Sequence, residues 1–161
     1  PKGAKITSAK LSLYYSNSSN AGQTGSNATV LRRITQKWSE TGVTWNNQPN
    51  TSALNQVTLA TSSSSNQDYP DIDVTDLMKD MLNYPDSSYG LMIRSKVEKT
   101  QKSMKFFSSD GPFSSEWPKL VICYTVGGGS TTTPKCSPPI ADFEINSNVY
   151  FNILYILILN C

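Results

Sequence analysis

The sequence predicts an all-β fold, a jelly-roll-like β-sandwich with one short helix over about residues 75–83. Three observations predict it. Charged residues make up only 16% of the 161-residue chain, against about 25% in an average globular domain. Ser, Thr and Asn fill the difference, which suits strands joined by polar loops better than helices. Several short runs alternate apolar with polar residues and are separated by turn-rich stretches, and a single segment changes to the helical period.

In residues 6–15, ITSAKLSLYY, the side chains of Ala9, Leu11, Leu13 and Tyr15 share one face and Lys10, Ser12 and Tyr14 the other, as in a half-buried strand. Residues 17–26, NSSNAGQTGS, are turn chemistry throughout. A second strand is expected over 28–35, with Val30 and Ile34 facing the same way as Arg32. Residues 38–49, WSETGVTWNNQP, read as a short strand at 43–45 and a polar turn closed by Pro49. A strand at 56–60 leads into the polar loop TSSSSNQ.

The helix comes next. Val74, Leu77, Met78, Met81 and Leu82 form one apolar stripe at i, i+3, i+4, i+7 and i+8. Thr75 is the expected N-cap, Asp76 suits the first turn, and Pro85 prevents continuation. Strands resume at 89–96, 104–108 and 119–126, and the last, KLVICYTV, is apolar on both faces and so is expected in the interior of a sheet.

After residue 126 the composition changes. Residues 127–139, GGGSTTTPKCSPP, read as a linker. Residues 140–145, IADFEI, alternate like the first strand of a new domain, but about 20 residues are too few to fold alone. The expected organisation is a sandwich at 1–126, a linker at 127–139 and the truncated start of a second β domain at 140–161. The apolar run at 149–159 is about half the roughly 20 residues that a helical membrane span needs, so no such span is expected. No signal peptide opens the chain, which carries little weight if its natural start lies upstream.

Composition also excludes chemistry. The chain has no histidine, so a Ser-His-Asp triad, a Cys-His dyad and an HExxH zinc site are ruled out. A net charge of +2 with a pI near 8.5 is too slight to point to nucleic acid. The three cysteines form no CxxC pair. Cys123, inside an apolar run, reads as a buried small hydrophobe, and a Cys136–Cys161 bridge would require the tail to fold. Glu40 and Glu116 are the imaginable carboxylate pair for glycoside hydrolysis, but neither is flanked by a catalytic pattern, and the chain is not expected to be an enzyme.

Four motifs in order carry a family resemblance: KGAKITSAKLSLYY (2–15), RITQKWSETGVTWNNQP (33–49), DIDVTDLMKDMLNYPDSSYGLMIRS (71–95) and FFSSDGPFSSEWPKLVICY (106–124). Together they resemble the DNRLRE domain, a disaggregatase-related module of secreted and cell-surface proteins, over residues 2 to about 126. Members of that family usually carry further strands ahead of the first motif, so the sandwich is expected to lack its N-terminal strands and to leave a sheet edge or inner face uncovered. IADFEI after a Pro-rich linker resembles the first strand of a PKD-type immunoglobulin-like domain. The resemblance implies a noncatalytic, polysaccharide-binding module of a secreted or cell-surface multidomain protein, with acidic polysaccharides such as alginate among the partners of its relatives. The competing reading is a structural spacer or adhesion module that binds no glycan.

Within that reading the carbohydrate-binding candidates are Tyr14, the exposed aromatic of the first strand, and the basic residues Arg94, Lys96 and Lys105. These are drawn from a run that also holds Lys99 and Lys102. Arg pairs bidentately with carboxylates and Lys supplies point charges; the same charges would also serve to solvate a hairpin. Trp38 and Trp45 could stack on sugar rings but are expected to anchor the core. Among Asp68, Asp71, Asp73, Asp76 and Asp80, the residues Asp71 and Asp73 are weak candidates for a structural calcium ion, although capping and helix-dipole roles account for Asp73 and Asp76 without one. No other cofactor is expected.

Overall fold

The computed structural model describes residues 3–16, 26–97, 104–109, 112–126, 134–137 and 156–159. Its elements are β1 (Ala4–Leu13), β2 (Thr29–Ile34), β3 (Thr51–Leu59), β4 (Tyr69–Asp73), α1 (Thr75–Asn83), β5 (Leu91–Ser95), β6 (Lys119–Val126), β7 (Lys135–Ser137) and β8 (Ile156–Leu159). Two four-stranded sheets have the orders β4-β1-β6-β7 and β3-β2-β5-β8. One apolar cluster, drawn from both sheets and α1, fills the space between them. The fold is an all-β sandwich with one helix, and the nesting of the β2–β5 pair inside the β1–β6 pair is the wrapping of a jelly roll.

The alternation in β1 is realised. Ala9, Leu11 and Leu13 are fully buried in the cluster. Ile6, of opposite parity, joins them because Ile6 pairs with Tyr124 and Ser8 with Cys123, leaving Thr7 as an extra residue that shifts the face of everything before it. A second bulge lies in β4, where Leu11 pairs with Ile72 and Leu13 with Tyr69. Asp71 takes a left-handed backbone there, φ 51°, and its N–H donates to Ser12 Oγ at 3.1 Å. Asp tolerates this conformation better than most residues.

In β2 the inward residues are Leu31 and Arg33, since Leu31 joins the central cluster with Leu91 and Ile93 of β5. Val30 and Ile34 share the other face with Arg32, as expected, but are buried as well.

The helix forms where its stripe predicts, with Leu77 and Met78 buried. Its capping differs. Val74 is the N-cap, and Thr75 Oγ1 instead accepts the Ala9 N–H at 2.9 Å, while Asp73 Oδ1 accepts the Thr75 N–H at 3.0 Å. Thr75 is thus spent on β1, and the preceding Asp supplies the acceptor at the helix start.

Several expectations are corrected. Residues 43–45 are not a strand: a 3-10 turn at Trp45–Asn47 follows Thr44, and the Asn47 side chain bonds the Thr44 N–H and the Gly42 carbonyl. Residues 104–108 form no full strand and contribute one bridge, Phe106 to Tyr15. β3 begins earlier than the expected strand at 56–60, and β7 and β8 were not foreseen.

Short segments within the expected linker and the expected second domain pair with the sandwich, β7 antiparallel to β6 and β8 parallel to β5. Cys123 is not an inert buried thiol. Its parity turns it away from the central cluster, it stands opposite Cys136, and the two form a disulfide. Residues 140–145 lie outside the described residues.

β1 has partners on both sides, and so has β6, which was expected in a sheet interior. The described sheets end at β3, β4, β7 and β8.

Candidate functional site

The four residues singled out for binding come to one end of the sandwich, though not by the hairpin their spacing suggested. After β1 the chain pairs with residues 105–107: Phe107 N–H donates to the Tyr14 carbonyl at 3.0 Å and Ser16 N–H to the Lys105 carbonyl at 3.2 Å, on either side of the Tyr15–Phe106 bridge. Phe106 belongs to the central cluster. Alternation therefore turns Tyr14, Lys105 and Phe107 outward together.

Phe107 is buried because Phe113 packs edge-on against it, with ring centroids 6.3 Å apart, and Phe113 itself is 56% exposed. Tyr14, Lys105 and the Phe107–Phe113 pair thus share one surface. Phe113 escaped the sequence reading because a lone aromatic in a Ser- and Gly-rich loop has no periodicity to report its direction.

Arg94 and Lys96 belong to the other sheet. Arg94 pairs with Val30 and points away from the core, and the Lys96 N–H bonds the Ala28 carbonyl where β5 ends. Met104, one residue before Lys105, sits beneath the same end, with Thr29 Oγ1 3.5 Å from its sulfur. Lys99 and Lys102 lie outside the described residues.

The outward face that carries Arg94 also carries Arg32, opposite Met92 and two positions from Arg94, a diagonal spacing of roughly 7–8 Å. Arg32 Nε donates to Gln56 Oε1 at 2.7 Å, across to β3. An amide rather than a carboxylate holds this guanidinium, so its charge is oriented but not neutralised.

The tryptophans divide. Trp38 is half-buried and its indole N–H donates to the Tyr89 carbonyl at 2.9 Å, an anchoring role. Trp45 is 41% exposed and contributes nothing to the buried core. The 3-10 turn that replaces the expected strand lifts it to the surface.

The acidic candidates are engaged elsewhere. Lys10 Nζ bonds Asp73 Oδ2 at 2.8 Å. The hydrogen bond from Lys10, followed by those from Thr75, holds the Asp73 carboxyl well below the usual carboxylate range. Asp71 is committed through its backbone to the β4 bulge. Among the described residues no group of three or more His, Cys, Asp and Glu could hold a metal ion.

A cleft of about 250 Å³ between β3 and the start of α1 is lined by Asn55, Gln56, Val57, Asp73, Asp76 and Leu77. Its polar side chains are already engaged, Asn55 with Asp80, Gln56 with Arg32, Asp73 with Lys10 and Asp76 with Lys79. It offers no converging free groups for a ligand. No helix among the described residues is long and apolar enough to cross a membrane.

An outward tyrosine and lysine beside an exposed phenylalanine, with arginines on the adjoining sheet, can bind a sugar polymer but provide no acid-base pair to cleave it. One family model matches: that for carbohydrate-binding module family 96, over residues 1–124. Neither the curated proteins nor the solved structures gave a match. On the strength of that match over most of its length, the chain belongs to carbohydrate-binding module family 96.

Proposed function

We propose that this module binds an acidic polysaccharide, of the alginate or pectate kind, at the end of the sandwich where Tyr14, Lys105 and Phe113 share one surface, with Arg94 and Lys96 at the same end of the other sheet. The observation that carries the reading is the shared outward direction of Tyr14 and Lys105 on their short ladder, next to the Phe107–Phe113 pair. Aromatic faces pack on the C–H face of a pyranose, and Lys and Arg pair with its carboxylates. Arg32, whose side chain is held by Gln56, extends the positive surface beyond Arg94.

The proposal extends to context: a noncatalytic module of a secreted or cell-surface multidomain protein. The Cys123–Cys136 disulfide supports an oxidising compartment. The resemblance of the four motifs to the DNRLRE domain supports the same setting.

Affinity electrophoresis in gels containing alginate, pectate or a neutral β-glucan tests the reading. The wild type should be retarded by the polyuronates and not by the glucan. Tyr14→Ala combined with Lys105→Ala should weaken retardation about tenfold, and Arg94→Ala should flatten its dependence on salt, because exposed charges are screened over about 8 Å at physiological ionic strength. Absence of retardation by every polymer would leave the spacer reading.

A further inference from the structure

At the opposite end of the sandwich, where β2 finishes and β5 begins, Arg33 is buried. It is only 6% exposed, its Nη1 donates to the Ser87 carbonyl at 2.5 Å and to Ser88 Oγ at 3.2 Å, and its Nε has no hydrogen-bond partner. No carboxylate among the described residues pairs with it. Its guanidinium lies 5.1 Å from the centroid of the Tyr84 ring, within cation–π range.

Tyr84 is 50% exposed although the cation beside it is buried, so the open side of the ring is the one turned away from Arg33. The backbone that carries the ring is fixed. The Tyr84 N–H bonds the Asp80 carbonyl at 2.9 Å, and the Tyr84 carbonyl accepts from Ser88 Oγ at 2.6 Å, the same hydroxyl that accepts from Arg33.

A half-open aromatic ring backed by a buried cation with no carboxylate partner among the described residues is an unusual surface. Desolvating a guanidinium without a counter-ion is costly, and a charge in a low-dielectric interior is weakly screened. Both conditions favour an anionic ring on the free face of the tyrosine over a neutral one. We infer that Tyr84, backed by Arg33, is a second carbohydrate subsite, on which an acidic pyranose stacks. It rests on the reading of the module as a binder of acidic polysaccharide, but it uses residues at the other end of the molecule. β2 is six residues long, which sets the two ends roughly 17–20 Å apart, so the two sites are separate and each takes its own sugar unit.

The test is calorimetric titration of the whole chain with a short oligouronate, too short to bridge the two ends, and with a neutral oligosaccharide of the same length. The wild type should bind two oligouronates. Tyr84→Ala should bind one, while Tyr84→Trp should keep both, since the ring and not the hydroxyl makes the contact. Tyr14→Ala with Lys105→Ala should retain the Tyr84 site and lose the other. Arg33→Gln, if it folds, should lower affinity at the Tyr84 site about five- to tenfold. Unchanged stoichiometry and affinity in a folded Tyr84→Ala would overturn the inference and leave the first site standing. Equal binding of the neutral oligomer at Tyr84 would overturn the role of Arg33. Loss of binding on Tyr84→Ala, with none on Tyr14→Ala and Lys105→Ala, would instead overturn the first site.

Discussion

Lys10 and Asp73 stand directly opposite each other on β1 and β4, and the Lys10 ammonium lies 2.8 Å from Asp73 Oδ2. The same carboxylate accepts the Thr75 N–H at the start of α1. One exposed side chain therefore joins an edge strand, its neighbour and the helix that follows.

That joint has a pH signature. The folded-state pKa of Asp73 is depressed, so its contribution is present above the unfolded value near 4 and is lost as pH falls through that value toward the folded one. Because the side chain is largely exposed, the contribution should stay below about 1 kcal/mol. Thermal melts from pH 7 to pH 2 should show a steeper acid decline in the wild type than in Asp73→Asn. Parallel declines would mean that the joint carries no stability.

The Cys123–Cys136 disulfide closes a loop of sequence separation 13. In the chain-entropy account such a loop contributes about 3 kcal/mol by restricting the unfolded state. Reductant should lower the melting temperature of the wild type. Cys136→Ser should start at the lower value and no longer respond to reductant.

Leu77 is the buried centre of the α1 stripe and has no exposed surface. Leu77→Ala should cost about 2–5 kcal/mol in denaturant unfolding, through lost burial and a cavity under the helix. A cost below about 1 kcal/mol would mean that the helix is not docked as described.

The two tryptophans should separate in the same assay. Trp38→Phe forfeits the hydrogen bond to the Tyr89 carbonyl and leaves that acceptor unpaired, at about 1–3 kcal/mol. Trp45→Ala should change stability by no more than about 0.5 kcal/mol, as an exposed turn residue does.

At Asp71 the positive φ makes a second backbone prediction. Asp71→Gly should be tolerated, whereas Asp71→Val should destabilise by about 1–2 kcal/mol, because a β-branched side chain clashes in the left-handed region. Chelator should leave the melting temperature of the wild type unchanged, since the Asp73 oxygens are already held by Lys10 and Thr75.

Much of the fold could be read from local periodicity. The faces of β1, the stripe of α1 and the apolar β6 each follow from side-chain alternation within one segment, and the sandwich follows from their number and spacing. The turn at Trp45–Asn47 was missed because its Val43 and Trp45 imitate a strand, while the bonds of Asn47 to Thr44 and Gly42 bend the chain into a 3-10 turn. Tyr14, Arg94, Lys96 and Lys105 were legible as candidates from exposure and charge.

Their arrangement was not legible, because it depends on which distant segment each strand meets. Local sequence could place Tyr14 and Lys105 on outward faces but could not say that residues 14–16 pair with 105–107. It could mark Cys123 as apolar company but could not oppose it to Cys136 across β6 and β7. Nothing in the local sequence singled out Arg33, and only the turn at Ser87 and Ser88 and the Tyr84 ring make a buried site for it. The sequence by itself determined a strand-built module without histidine, and so without any catalytic device that needs imidazole. Tertiary structure decided where its aromatic rings and charges converge, since register and pairing across long separations are set by the burial of the whole sandwich and not by any one strand.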